Sequence, residues 1–135
     1  MNATQDRILA DPFQTTGFPR RLADAARGLT WLVRTTPNAR IHLAATLVAI
    51  GLGLWLRLGI AEWLWIAVAV GIVWIAEAFN TALETLANRI SSEREPAIGH
   101  AKDLAAGAVL AAALAAAAIG VLVFIPRLIA LAGGH

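Results

Sequence analysis

The chain alternates polar patches with long apolar runs, and the runs set its organisation. The first, IHLAATLVAIGLGLWLRL from Ile41 to Leu58, is short and flanked by Arg40 and Arg57. The second starts at Trp63, carries no charge for fourteen residues through Ala76, and keeps helical character to about Ile90. The third runs from Leu104 to Ile125, with Pro126 and Arg127 expected to end it. About 20 residues at 1.5 Å rise cross the hydrocarbon of a bilayer. The pattern therefore predicts spanning helices at about 41–58, 63–88 and 104–126. The second reaches that length only if Glu77 and Asn80 lie in its last membrane turns. A shorter helix is predicted over about 20–35, RRLADAARGLTWLVRT, before the break at Thr36-Pro37-Asn38. Its stripe of Leu22, Ala25, Ala26, Leu29, Leu32 and Val33 faces away from Arg20, Arg21, Asp24, Arg27 and Arg34. Such a stripe suits a helix lying on a membrane surface, or an ordinary amphipathic helix packed on protein.

Composition supports an all-α integral membrane protein of one domain. Of the 135 residues, 59% are hydrophobic and 15% charged, against roughly 25% charged in a soluble domain. There is no cysteine, hence no disulfide, thiolate metal site or thiol nucleophile. The net charge is only +2 and the basic residues are scattered, which argues against nucleic acid as a partner. The first 22 residues have no apolar core of the kind a signal peptide requires.

Nine of the eleven cations, among them Arg20, Arg34, Arg40, Arg89, Arg94 and Lys102, precede the first span or lie between the second and third. The positive-inside rule then puts the N-terminus and the second loop in the cytoplasm. Trp55, Trp63 and Trp65 cluster at the opposite turn, as an interfacial belt would. The third run, AAGAVLAAALAAAAIG, is rich in small residues that let helices approach closely in lipid. Three spans enclose a polar site poorly, so a homo-oligomer with sites between subunits is expected.

The candidate chemistry sits where the second run turns polar. At about 100° per residue, Glu77, Asn80, Thr81, Glu84 and Asn88 share one helical face. Glu77 is about 21 Å from Trp63 along a helix axis, within the inner leaflet. An intramembrane carboxylate points to function by default, because its burial is costly. A helix that simply leaves the membrane and exposes polar residues would read the same way. Lys102-Asp103 falls on the same side of the membrane, at the expected start of the third span. Two acids, an amide and a lysine can hold Mg²⁺, which favours hard oxygen ligands, and a phosphate.

These residues carry a resemblance. EAFNTALETLANRISSEREPAIGHAKDLAAGAVL, residues 77–110, resembles the small prokaryotic membrane diacylglycerol kinase family, which includes undecaprenol kinases. The matching elements are Glu77, Asn80, Ala82 and Glu84, then Ala101-Lys102-Asp103; NARIHLAA at 38–45 is also similar. The resemblance covers about residues 20–127. It implies a bacterial inner-membrane homotrimer of three-span subunits, with shared active sites, that uses ATP and Mg²⁺ to phosphorylate a membrane lipid hydroxyl. The implied substrate is diacylglycerol, giving phosphatidic acid, or alternatively undecaprenol. By position, Glu77 would be the general base with Asn80 supporting it, and Glu84 a metal ligand. Lys102, Asp103, Arg94 and Glu95 would serve the nucleotide.

Some positions depart from the family. Thr36 stands where many members carry a second metal-binding Glu. Asn88 replaces a frequent Asp, and Arg94-Glu95 replaces an aromatic-His pair. A non-catalytic membrane assembly subunit is the remaining reading. His42 is read as packing or anchoring, His100 as solvated, Arg40 as either a phosphate contact or a helix anchor, and Gly51-x-Gly53 as a helix-packing signal.

Overall fold

The computed structural model describes residues 17–90 and 95–133. Arg94 and Glu93 therefore lie outside the described residues. Four helices hold nearly all of them: α1 (Phe18–Thr35), α2 (Pro37–Trp55), α3 (Ile60–Ile90) and α4 (Pro96–Ala132). The chain forms two compact units, one ending at Trp31 and one beginning at Leu32. In the first, the polar face of α1 carries an Arg27–Asp24 ion pair one turn apart, and Thr30 donates back to the Ala26 carbonyl at 2.8 Å.

The second unit contains three helices long and apolar enough to cross a membrane. This is an all-α integral membrane protein. Its outward faces, with Leu47, Leu54, Phe79, Leu110, Leu114 and Leu122 exposed, would be untenable in water.

α2 starts as its sequence dictates. Thr36 is extended, as a residue before proline prefers, and Pro37 fills a first-turn position where its missing N–H is no loss. Arg40 turns back: its Nε donates to the Val33 carbonyl at 3.1 Å, and its Nη2 to that of Arg34. It satisfies carbonyls that the end of α1 leaves without partners, which favours the anchoring reading of Arg40.

The far end of α2 closes in a Schellman motif. Leu58 N–H reaches the Gly53 carbonyl at 3.0 Å and Arg57 N–H that of Leu54 at 3.2 Å. Arg57 occupies the left-handed position there, with φ 54°, where glycine is usual. Three residues later α3 begins. Glu62 accepts from the Gly59 N–H at 2.7 Å, half of a capping box, and takes a two-pronged ion pair from Arg127 of α4 at 2.6–2.7 Å. Beside this turn Leu58, Ile66 and Val123 are buried against Trp63 and Phe124. Gly53 is what admits Trp63: a Cβ at Gly53 would stand 2.7 Å from the indole. Among the described residues nothing lies within 4 Å of a Cβ placed at Gly51, so within the described chain the close approach is at Gly53.

Two boundaries differ from the sequence reading. α4 begins at Pro96, two turns before the expected start, because Glu95-Pro96 supplies an extended N-cap and a proline at N1. Asp103 therefore lies two turns inside the helix and not at its positive end. α4 also runs through Pro126 to Ala132. Proline removes one N–H, that to the Leu122 carbonyl, but the helix on both sides persists, as membrane helices tolerate.

Candidate active site

The site lies where α2, α3 and α4 meet at the polar end of α3. Glu77 is fully buried, and Asn80 and Thr81 are 7% exposed. Neither oxygen of Glu77 has a hydrogen-bond partner among the described residues, nor do Asn80 Oδ1 and Thr81 Oγ1. The imidazole of His42 on α2 faces Glu77, its Nε2 3.8 Å from Oε2. Glu77, Asn80 and His42 line a recess of about 310 Å³, bounded also by Asn38 of α2, Glu84 of α3 and an apolar wall of α4.

The pairing of α2 with α3 is pinned one turn deeper. Trp74 Nε1 donates to Thr46 Oγ1 at 3.1 Å, and Thr46 donates to the His42 carbonyl at 2.8 Å. His42 is thus held at the level of Glu77 by a neighbouring rung on the same interface.

Outward from Glu77, polar side chains follow the helical repeat. Asn80 Nδ2 lies 3.5 Å from Glu84 Oε1, so the amide leans to Glu84 and leaves Glu77 alone. One further turn out, Asn88 Oδ1 accepts from Lys102 Nζ of α4 at 3.1 Å. From Glu77 to Asn88 is eleven residues, about 16 Å along the axis. The line runs carboxylate, amide, carboxylate, then lysine, from the middle of α3 toward its C-terminal end.

Not every expected residue joins this line. Asp103 is exposed and lines a separate shallow depression with His100. Glu95 is the exposed N-cap of α4. Thr36 is the N-cap of α2. Among the described residues, no three His, Cys, Asp or Glu side chains cluster as a metal cage. Glu84 and the unpartnered Asn80 Oδ1 are hard oxygens, a donor set compatible with Mg²⁺, which keeps most of its shell as water and substrate oxygen. His42, read from the sequence as packing or anchoring, also lines the recess beside Glu77.

The prokaryotic diacylglycerol kinase family model matches residues 23–124. The chain belongs to that family. Within this kinase family it is 35% identical over 111 residues to the undecaprenol kinase of Bacillus subtilis, a match covering 82% of this chain and 90% of the relative. It is 32% identical over 105 residues to the diacylglycerol kinase of Escherichia coli K12, covering 76% and 86%, and equally to that of Shigella flexneri. Every polar residue of the recess falls inside the span that the kinase family model matches.

Proposed function

We propose that this kinase transfers the γ-phosphate of ATP to the hydroxyl of a membrane lipid at the cytoplasmic face. The observation that carries the reading is Glu77, a fully buried carboxylate that finds no hydrogen-bond partner among the described residues, on a helix long and apolar enough to cross a membrane. Glu77 accepts the hydroxyl proton as the oxygen attacks the γ-phosphorus and the bond to the bridging oxygen of ADP breaks. Asn80 and Glu84 are the groups that would hold Mg²⁺, which when bound supplies charge neutralisation along the phosphates. Lys102 gives a positive charge at the phosphate end of the line. Asp103, Arg94 and Glu95 are proposed to serve the nucleotide, Asp103 from its neighbouring position next to Lys102. Phosphoryl transfer asks chiefly for alignment and charge compensation, which fits a row of fixed side chains with no nucleophile among them.

Diacylglycerol is the substrate named first, giving phosphatidic acid. The 35% identity to an undecaprenol kinase favours a second reading, a polyprenol. The assembly is read as a homotrimer with shared sites in the bacterial inner membrane, the N-terminus and second loop cytoplasmic. The large apolar area that the three helices leave exposed supports association, and the cation distribution supports the orientation.

ATP turnover in lipid or detergent, with diacylglycerol and with an undecaprenol-type alcohol, tests the reading. Turnover is expected to vanish on chelation of Mg²⁺ and to fall at least a hundredfold in Glu77→Gln and tenfold in Glu84→Gln. Activity unaffected by both substitutions overturns the site. No turnover on any lipid alcohol returns the chain to the role of an assembly subunit.

A further inference from the structure

A general base has to present a lone pair in a fixed direction. The carboxylate of Glu77 is buried, yet neither of its oxygens has a partner among the described residues. Its last torsion is a broad, roughly two-fold one, so nothing within its own side chain aims it. Among the described residues, three side chains with N–H donors line the recess: Asn38, His42 and Asn80. Asn80 Nδ2 lies 3.5 Å from Glu84 Oε1 and is thus turned to the other carboxylate. Asn38 sits one turn nearer the start of α2 than His42. The wall from α4 is Ala106, Val109, Leu110 and Ala113, with no donor in their side chains. His42 remains, and it is the Nε2 of its ring that faces Glu77, 3.8 Å from Oε2.

The helical turn that carries His42 is itself held. Thr46 accepts the indole N–H of Trp74 at 3.1 Å and donates its own hydroxyl proton to the His42 carbonyl at 2.8 Å. A valine of the same shape at position 46 could do neither. The gap of 3.8 Å has to shorten by about 0.9 Å to become a hydrogen bond. Catalytic hydrogen bonds are often long in the empty enzyme and tighten when substrate binds.

We propose that His42 is a positioning residue for Glu77. Its Nε2–H donates to Oε2 and leaves Oε1 as the atom that takes the proton of the lipid hydroxyl, while Trp74 and Thr46 fix the turn on which His42 stands. A base oriented by a third group is a recurrent catalytic arrangement. The hydroxyl proton goes to Oε1, the hydroxyl oxygen bonds to the γ-phosphorus, and ADP leaves with the electron pair of the broken bond. Nε2 keeps its own proton throughout. This inference rests on the lipid-kinase reading above and deepens it.

The test is a double-variant cycle in kcat, with the lipid alcohol that the unaltered enzyme turns over and with the melting temperature of each variant recorded. His42→Ala should lower kcat about tenfold or more while KM for ATP stays within about threefold. In the Glu77→Gln background the same change should lower the residual rate less than about twofold, since no base is left to aim. Thr46→Val should lower kcat when His42 is present and add nothing to His42→Ala. Two milder variants decide the matter even if His42→Ala folds poorly. The amide nitrogen of His42→Gln falls near the position of Nε2 and should keep kcat within about threefold, whereas that of His42→Asn falls near Nδ1 and should lose about as much as alanine. Equal losses with and without Glu77 make His42 structural and overturn the proposal. So does a His42→Gln enzyme no better than His42→Asn, or an undiminished kcat in His42→Ala. Full activity of Glu77→Gln, or no turnover of any lipid alcohol by the unaltered enzyme, overturns the reading on which the proposal rests.

Discussion

A carboxylate sealed from water with no hydrogen bond is one of the costlier things a protein can hold. Among the described residues Glu77 is such a group, with the His42 imidazole 3.8 Å from it. Glu77→Gln removes the carboxyl that can take a proton while keeping the shape. Thermal melting in detergent should therefore show no loss of stability, and a rise is expected, while phosphate transfer falls by a factor of about 10²–10⁴, the range typical for losing a general base. A substitution that lowered both would mark Glu77 as structural. The sequence alone made Glu77, Glu84 and Lys102 conspicuous, because charge inside an apolar run stands out. His42 did not stand out, since a lone histidine beside a membrane surface reads as packing. Yet counting from the turn would have found it. His42 is seventeen residues before Gly59 and Glu77 eighteen after, so an antiparallel hairpin brings them to one depth.

At the scale of elements, the three apolar runs gave the helices because twenty apolar residues have few other stable fates in lipid. Their ends were harder to read. Proline at 96 began a helix that hydropathy placed later, and proline at 126 failed to end one, since in the membrane a missing N–H costs less than unravelling several turns. Two positions at the α2–α3 connection carry predictions. At Gly53 a new Cβ would meet the Trp63 ring at 2.7–2.9 Å and Leu58 at 3.1 Å. Gly53→Ala should lower stability by about 1–3 kcal/mol, and Trp63→Phe in the same chain should recover part of it by shortening the ring. A double variant no better than Gly53→Ala would show that the clash is not the cause. Arg57, left-handed at φ 54°, invites the opposite change. Arg57→Gly should raise stability by about 1 kcal/mol, because only glycine adopts that conformation without strain. Chemical denaturation of both variants in one detergent gives the comparison.

Over the whole molecule, α3 and α4 keep a single register from end to end. Glu62 meets Arg127 at one membrane face and Asn88 meets Lys102 at the other, and each pair of numbers is centred on the same loop. The rungs stand twenty-six residues apart on α3, about 39 Å, more than the hydrocarbon thickness. The lysine is thereby tied to the position of a glutamate–arginine clip on the far side. No periodicity in the sequence announces this coupling, because it depends on where the second loop begins and ends. The small residues of α4 were equally ambiguous in sequence, since a helix-packing surface and the wall of a cavity call for the same alanines.

The solitary carboxylate of Glu77 has a last consequence, which concerns the empty enzyme. A site whose polar atoms lack partners is a spring held under load, and whatever supplies those partners lets it relax. The resting protein should therefore be the softer form. A lipid alcohol alone, without nucleotide, should raise its melting temperature, in proportion to the logarithm of alcohol concentration once the site fills. The same rise should be much smaller in Glu77→Gln, where the load has already been taken off. Differential scanning in detergent, with and without alcohol, measures both. An equal rise in the two proteins would place the alcohol's grip elsewhere.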